Sequence, residues 1–297
     1  MIRYIKIFPT TDLYTFHTNN NIGELDMVRE PAVAGQFYPG TKGGLINSIE
    51  DCFKHELGPG EIPDERGESR EIKGLVSPHA GYVYSGPVAA HGFKALYEDG
   101  IPETIIVIGP NHHGFGADVA ISAEDFKTPL GTIQVDKDLV DGLQNELVRI
   151  DERAHSNEHS IEVQLPFIQY LFDDVKIVPI CMLKQDINTA KALGEHIRDA
   201  VADRDVVIVA STDFSHYVLK ETAKKKDGKT IDMITASDAE GLYRSIRDEH
   251  ISMCGYGPVA AMMYGTDCSS AELLKYSTSG DISSMRDVVG YASIVCR

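Results

Sequence analysis

Positive charge is scarce in this sequence. Its 28 Lys and Arg stand against 45 Asp and Glu, a formal net charge of -17. Nucleic-acid binding needs a basic face, because neutralising phosphates supplies much of the affinity. The longest basic run is Lys224-Lys225-Lys226, so no nucleic-acid partner is expected. Long apolar runs are missing too. None approaches the roughly 20 residues that span a bilayer, and "IKIFPTTDLYTF" is too short and polar for a secretory signal, so no membrane partner is expected. Cysteine is sparse: Cys52, Cys181, Cys254, Cys268 and Cys296 are widely spaced, odd in number and form no CxxC. That pattern is not a disulfide framework and predicts a reduced, cytoplasmic protein. The G-x-G-x-x-G and G-x-x-x-x-G-K-[ST] loops are absent, so no nucleotide or flavin is expected. The G-x-S-x-G elbow of serine hydrolases is absent as well.

What is present alternates. Apolar, strand-like runs fall at 73–77, 104–109, 175–180, 205–212 and 291–295. Helical patterns lie between them at 87–97, 137–147, 161–172, 186–203 and 237–247. Runs without polar alternation fit strands buried on both faces. Strands alternating with helices predict one α/β domain with a central, mostly parallel or mixed sheet flanked by helices. Residues 1–27 are polar and aperiodic, and read as a loosely ordered extension before a domain spanning 28–297. Met27 offers an alternative start. The Gly- and Pro-rich stretch 57–73 reads as a surface loop.

Reactive residues gather where strands end. His79 follows the first run, His112 and His113 the second, Asp213 and His216 the fourth. Parallel strands carry such loops to one edge of the sheet, where open α/β sheets bind ligands. "GPVAA" occurs at 86–90 and again at 257–261, after His79 and Cys254 respectively. The copies are either two unrelated helix starts or two helix N-termini turned toward one site. In "HSNEHSIEVQLPF", Ser156 or Asn157 can cap a helix beginning near Glu158, with His159 and Glu162 on one face. His155 and His159 have zinc-protease spacing, but Ser156 stands where the general base of H-E-x-x-H belongs, which rejects that chemistry. His113, Glu158, His159 and Glu162 are candidates for lining the pocket or hydrogen-bonding to its ligands.

The ordered series "AVAGQFYPG", "SPHAGYVYSG", "GPNHHG", "TPLGTIQVD", "NEHSIEVQLPF", "STDFSHY" and "CGYGPV" resembles the Memo family. That family is related in fold to class III (LigB-type) extradiol dioxygenases. The resemblance implies a dioxygenase-like fold and a metal-binding cleft. Matched residue by residue, it implies His79, His112 and Cys254 as ligands, with iron or copper as the metal. His113 would point away and fix its loop. Asp213 and His216 would flank the pocket, and His216 resembles the dioxygenase base. The dioxygenases use a carboxylate where Cys254 falls, which puts catechol ring cleavage in doubt. Two imidazoles and a thiolate suit iron, copper or zinc.

Two functions follow. One is a metal-dependent redox enzyme acting on a small molecule. The other is a non-catalytic module that binds metal or peptide in a vestigial pocket. The resemblance also implies AMMECR1-like and radical-SAM proteins as partners.

Overall fold

The computed structural model describes residues 27–268 and 270–297. The extension expected over 1–27 lies outside the described residues, apart from Met27. An eight-stranded mixed sheet forms the centre, in the order Ala271–Thr278, Gly290–Cys296, Gly74–Ser77, Val206–Ser211, Thr104–Pro110, Lys176–Met182, Val119–Ile121, Arg149–Ile150. The four strands from Gly74–Ser77 to Lys176–Met182 are mutually parallel. Gly290–Cys296 and Val119–Ile121 run antiparallel to their neighbours among those four, which makes the sheet mixed. Among the described residues no helix is long and apolar enough to cross a membrane.

The central strands are buried along their whole length because helices cover both faces. "TIIVIGP" has seven buried residues out of seven. Such runs of β-branched residues have no solvent side to keep polar. All five strand-like runs form strands. Helix Ile187–Ala200 starts where expected, with the Asp186 side chain accepting from the N–H groups of Asn188 and Thr189. That cap satisfies two of the donors a helix start leaves open.

Three expectations need correction. The first GPVAA does not open its helix. Helix Tyr82–Asp99 begins one turn earlier, with Pro87 inside it. No helix begins near Glu158 either. The Glu158 side chain accepts the backbone N–H groups of His112, His159 and Ser160. Those bonds hold the segment as a turn, and the α-helix starts only at Leu165, after a 3₁₀ turn over Glu162–Gln164. Finally, Cys268 and Cys296 are disulfide-bonded, with Cα atoms 5.6 Å apart. Antiparallel pairing of Ala271–Thr278 with Gly290–Cys296 brings them together, a proximity that spacing along the chain does not reveal. Cys52, Cys181 and Cys254 are free.

The polar helix Lys220–Thr235 was not foreseen. Its sequence "KETAKKKDGKTIDMIT" has few apolar residues to show a period. A short ribbon, Val218–Leu219 paired antiparallel with Asp287–Val288, lies outside the main sheet.

Candidate metal centre

Three adjacent parallel strands supply the site. His79 follows Gly74–Ser77, Asp213 follows Val206–Ser211 and His112 follows Thr104–Pro110. Cys254 arrives from elsewhere, two residues ahead of helix Tyr256–Thr266. Gly255 makes that approach possible. A Cβ there would collide with the Ser211 carbonyl and lie 2.7 Å from Thr212 Cβ. The Cys254 N–H donates to the Asp213 carbonyl (3.2 Å), and the Asp213 N–H points at Cys254 Sγ (3.2 Å). The second GPVAA thus lies in the first turn of its helix, beside the site. The other helix also abuts the site, through its N-cap Gly81, which lines the cavity with His79.

Ligand-capable atoms of His79, His112 and Cys254 all lie within 4.8 Å of one another. His79 Nε2 and Cys254 Sγ are 3.3 Å apart. Two atoms bonded to one metal at about 2.0 and 2.3 Å, at angles of roughly 100°, would be separated by about that much.

Hydrogen bonds decide which ring nitrogens are available. Ser211 Oγ lies 2.8 Å from His79 Nδ1 and also donates to the Ser160 carbonyl at 2.6 Å. A hydroxyl has one hydrogen and a carbonyl only accepts. Ser211 therefore spends its hydrogen on Ser160 and accepts from His79 Nδ1–H. Gln164 Nε2 donates to the same hydroxyl at 2.8 Å and to the Pro78 carbonyl at 2.9 Å. The nitrogen of His79 facing Cys254 is left with its lone pair.

His112 is fixed the same way. Its Nδ1 lies 2.9 Å from Glu158 Oε1, and its backbone N–H donates to Oε2 at 2.6 Å. Glu158 accepts two further backbone N–H groups, from His159 and Ser160. Burial favours its neutral form, but these donors, His112 foremost, hold the carboxyl well below the usual range. A carboxylate can only accept, so His112 also presents Nε2. Ring nitrogens oriented by such partners are the usual companions of metal-ligating histidines. The donor set therefore fits a soft or borderline metal: two imidazole lone pairs and one sulfur.

His216 holds its Nδ1 2.8 Å from the Ser252 carbonyl. That carbonyl requires Nδ1–H and leaves Nε2 as a base. Asp213 is buried, and its Oδ1 accepts the His79 N–H at 2.9 Å. Burial pushes its carboxyl up to about 6. Burial also raises the Cys254 thiol, with the Asp213 charge adding to it. The His79 imidazole is pushed well down by burial, then by the neighbouring His159 and His112.

A cavity of about 390 Å³ opens over this floor. His79, His112, Asp213 and His216 line it, and so does His159, whose ring stacks on His112 with centroids 4.5 Å apart. His113 is exposed and does not line it. Its backbone N–H donates to Asn111 Oδ1 in a tight loop. Glu158 lies behind His112 rather than in the cavity. Glu162 is elsewhere: fully buried, it accepts from Arg29 (2.7 Å), Tyr38 and the N–H groups of Ala32 and Val33. It anchors the segment carrying Phe37 and does not line the pocket. His155 is buried against the Ala120 carbonyl.

Phe37, Tyr84, Tyr217, Met285, Asp287 and Tyr291 also line the cavity. Phe37, Tyr84 and Tyr217 sit inside the motifs "AGQFYPG", "GYVYSG" and "DFSHY", but an isolated aromatic in a loop carries no periodic signal. A larger groove of about 550 Å³ at Leu130–Lys176 has no histidine or cysteine in its lining.

A model of the Memo-like protein family matches residues 29–295. A MEMO1 family protein of Methanopyrus kandleri is 47% identical over 281 residues, covering 91% of this chain and 99% of that protein. A MEMO1 family protein of Methanothermobacter thermautotrophicus is 46% identical over 277 residues, covering 90% and 100%. In structure the chain is similar to an uncharacterised Escherichia coli K12 protein, with a TM-score of 0.51 at 15% identity, covering 76% of this chain and 99% of that one. That likeness concerns the fold alone.

Proposed function

This chain belongs to the Memo-like family, and from that premise we propose that it is a metal-dependent redox enzyme acting on a small molecule. His79, His112 and Cys254 would hold one iron or copper ion. The observation that carries this reading is the fixed tautomer of both imidazoles, each presenting a lone pair beside one sulfur. When bound, the metal supplies one-electron exchange, with dioxygen or peroxide as the final oxidant.

The chain's own residues do the rest. His216 Nε2 takes a proton from a hydroxyl or amine of the substrate, and the Ser252 carbonyl steadies the imidazolium that forms. Asp213 holds the His79 backbone in place through its N–H. Phe37, Tyr84 and Tyr291 give the cleft apolar walls on which a substrate would rest.

Oxygen consumption by the iron-loaded protein, screened against small-molecule substrates, tests the reading. The expected result is turnover that His216→Ala abolishes while metal stays bound. The second reading, a non-catalytic binding module, draws support from Phe115 and Tyr217, which are 60% and 79% exposed. It would be favoured by tight metal binding with no substrate-dependent oxygen uptake.

A further inference from the structure

The cavity's charge pattern names a ligand class, and this step rests on the metal-floor reading above. We propose that the cleft takes a small molecule with an aromatic or compact apolar head, seated on the floor, and an ammonium group held at the mouth by Asp287 and the face of Tyr217.

The volume, about 390 Å³, lies in the range of small-ligand sites. No Lys or Arg lines it. A carboxylate or phosphate on the floor would meet no lysine or arginine; Arg286, between Met285 and Asp287 in sequence, is exposed and does not line the cavity. Lys220, just past the mouth in sequence, is paired with Asp281. The walls are aromatic: Phe37 and Tyr84 are half-buried, and Tyr291 is buried deep in the cleft. Such walls suit a flat or compact apolar head.

The mouth differs. The ribbon of Val218–Leu219 with Asp287–Val288 pairs Leu219 with Asp287. It carries Tyr217, Met285 and Asp287 along one side of the opening, all three exposed. Tyr217 has φ 55°, a left-handed backbone that a bulky L-residue adopts only under constraint. Asp287 makes no side-chain hydrogen bond or ion pair among the described residues. Tyr217 and Asp287 line one cavity, on the two chains of one ribbon, and an aromatic ring together with an unpaired carboxylate is what an alkylammonium group prefers.

Three probes of nearly one shape separate the possibilities: phenethylamine, 2-phenylethanol and 3-phenylpropionate. Their dissociation constants are measured by ligand-observed NMR on metal-free and zinc-loaded protein. The amine should bind roughly 5- to 20-fold more tightly than the carboxylate in both forms, with the alcohol between. Asp287→Asn, which removes no internal contact, should weaken the amine about 2- to 5-fold and leave the alcohol unchanged. A flat series, a tighter carboxylate, an amine that does not bind at millimolar concentration, or an Asp287→Asn variant with unaltered selectivity overturns the proposal.

The two readings fail separately. A carboxylate preferred only in the zinc-loaded form would sink the ligand class and leave the metal site standing. The expected order in metal-free protein, with no zinc taken up by His79, His112 and Cys254, would do the reverse.

Discussion

On the floor of the cleft His79 is 2% exposed and its imidazole is fixed through Ser211, Ser160 and Gln164. At the mouth Tyr217 is 79% exposed on a left-handed backbone, and Met285 and Asp287 are open to solvent. The floor sits on the ends of three adjacent parallel strands, while the mouth rests on a two-residue ribbon. A buried polar group without partners is costly, and the imidazoles of His79 and His112 are each oriented by a neighbour, Ser211 and Glu158. Nothing enforces such order at the mouth. In the function proposed above, reaction type would belong to the first region and ligand choice to the second.

The largest expected break comes from the floor. Cys254→Ser replaces a soft anion by a hydroxyl and should lower iron or copper affinity at least about 100-fold, since even groups behind the ligands are worth 10–100-fold. Cys52→Ser and Cys181→Ser should leave it unchanged. Anaerobic competition titrations check this, and equal affinities for Cys254→Ser and wild type would remove the floor as a metal site. Glu158→Gln comes next. It frees the His112 ring to turn, and should cost about 10–100-fold in the same titration.

Acid sensitivity sharpens the picture further. Burial brings His159 down to about 4 in the folded protein, against 6.5 in a free imidazole. Between those values the unfolded chain binds a proton that the folded one does not. This group's stability is therefore complete above pH 6.5 and is lost as pH falls toward 4. Discounted for an 18% exposed side chain, the effect is roughly 1–2 kcal/mol. His159→Gln should make the fall in melting temperature between pH 7 and pH 4.5 smaller by about 4 °C. An identical fall would show that His159 titrates as in water.

The smallest effect belongs to the mouth. In Tyr217→Gly, relief of a left-handed backbone, about 1–2 kcal/mol, is offset by about 0.5–1 kcal/mol of glycine entropy. The melting temperature should move by less than about 3 °C, with metal affinity unchanged. A drop of more than about 8 °C would mean that the mouth is structural after all.

This contrast also explains what the sequence made legible. Apolar runs buried on both faces announce themselves, so the central strands and the loops after them could be placed. His79, His112, Asp213 and His216 each follow such a run, and all four line one cavity. Helical spacing puts Glu162 on the face of His159, but Glu158 bends the chain into a turn there and Glu162 pairs with Arg29 instead. The mouth residues Met285 and Asp287 carry no sequence signal, since they reach the cavity lined by Tyr217 only through a ribbon that joins Leu219 to Asp287, about 70 positions apart. Gln164 and Ser211 carry no sequence signal, because fixing a tautomer is a matter of angles, not of residue type.

The strand order has a consequence for how the protein is made. Val206–Ser211 lies between two strands that precede it in the chain, and His79 and Cys254 are 175 residues apart. At about 5–20 residues per second, His79 waits roughly 9–35 s on the ribosome before Cys254 is synthesised. For about the first three-quarters of that interval, until Val206–Ser211 is made, Gly74–Ser77 and Thr104–Pro110 lack the strand that will join them, and the edges that will face it stay unpaired. A nascent chain stalled before residue 254 could not assemble the three-residue pocket, so metal capture should be a late event in biosynthesis, and chaperones that shield sheet edges should engage this chain early.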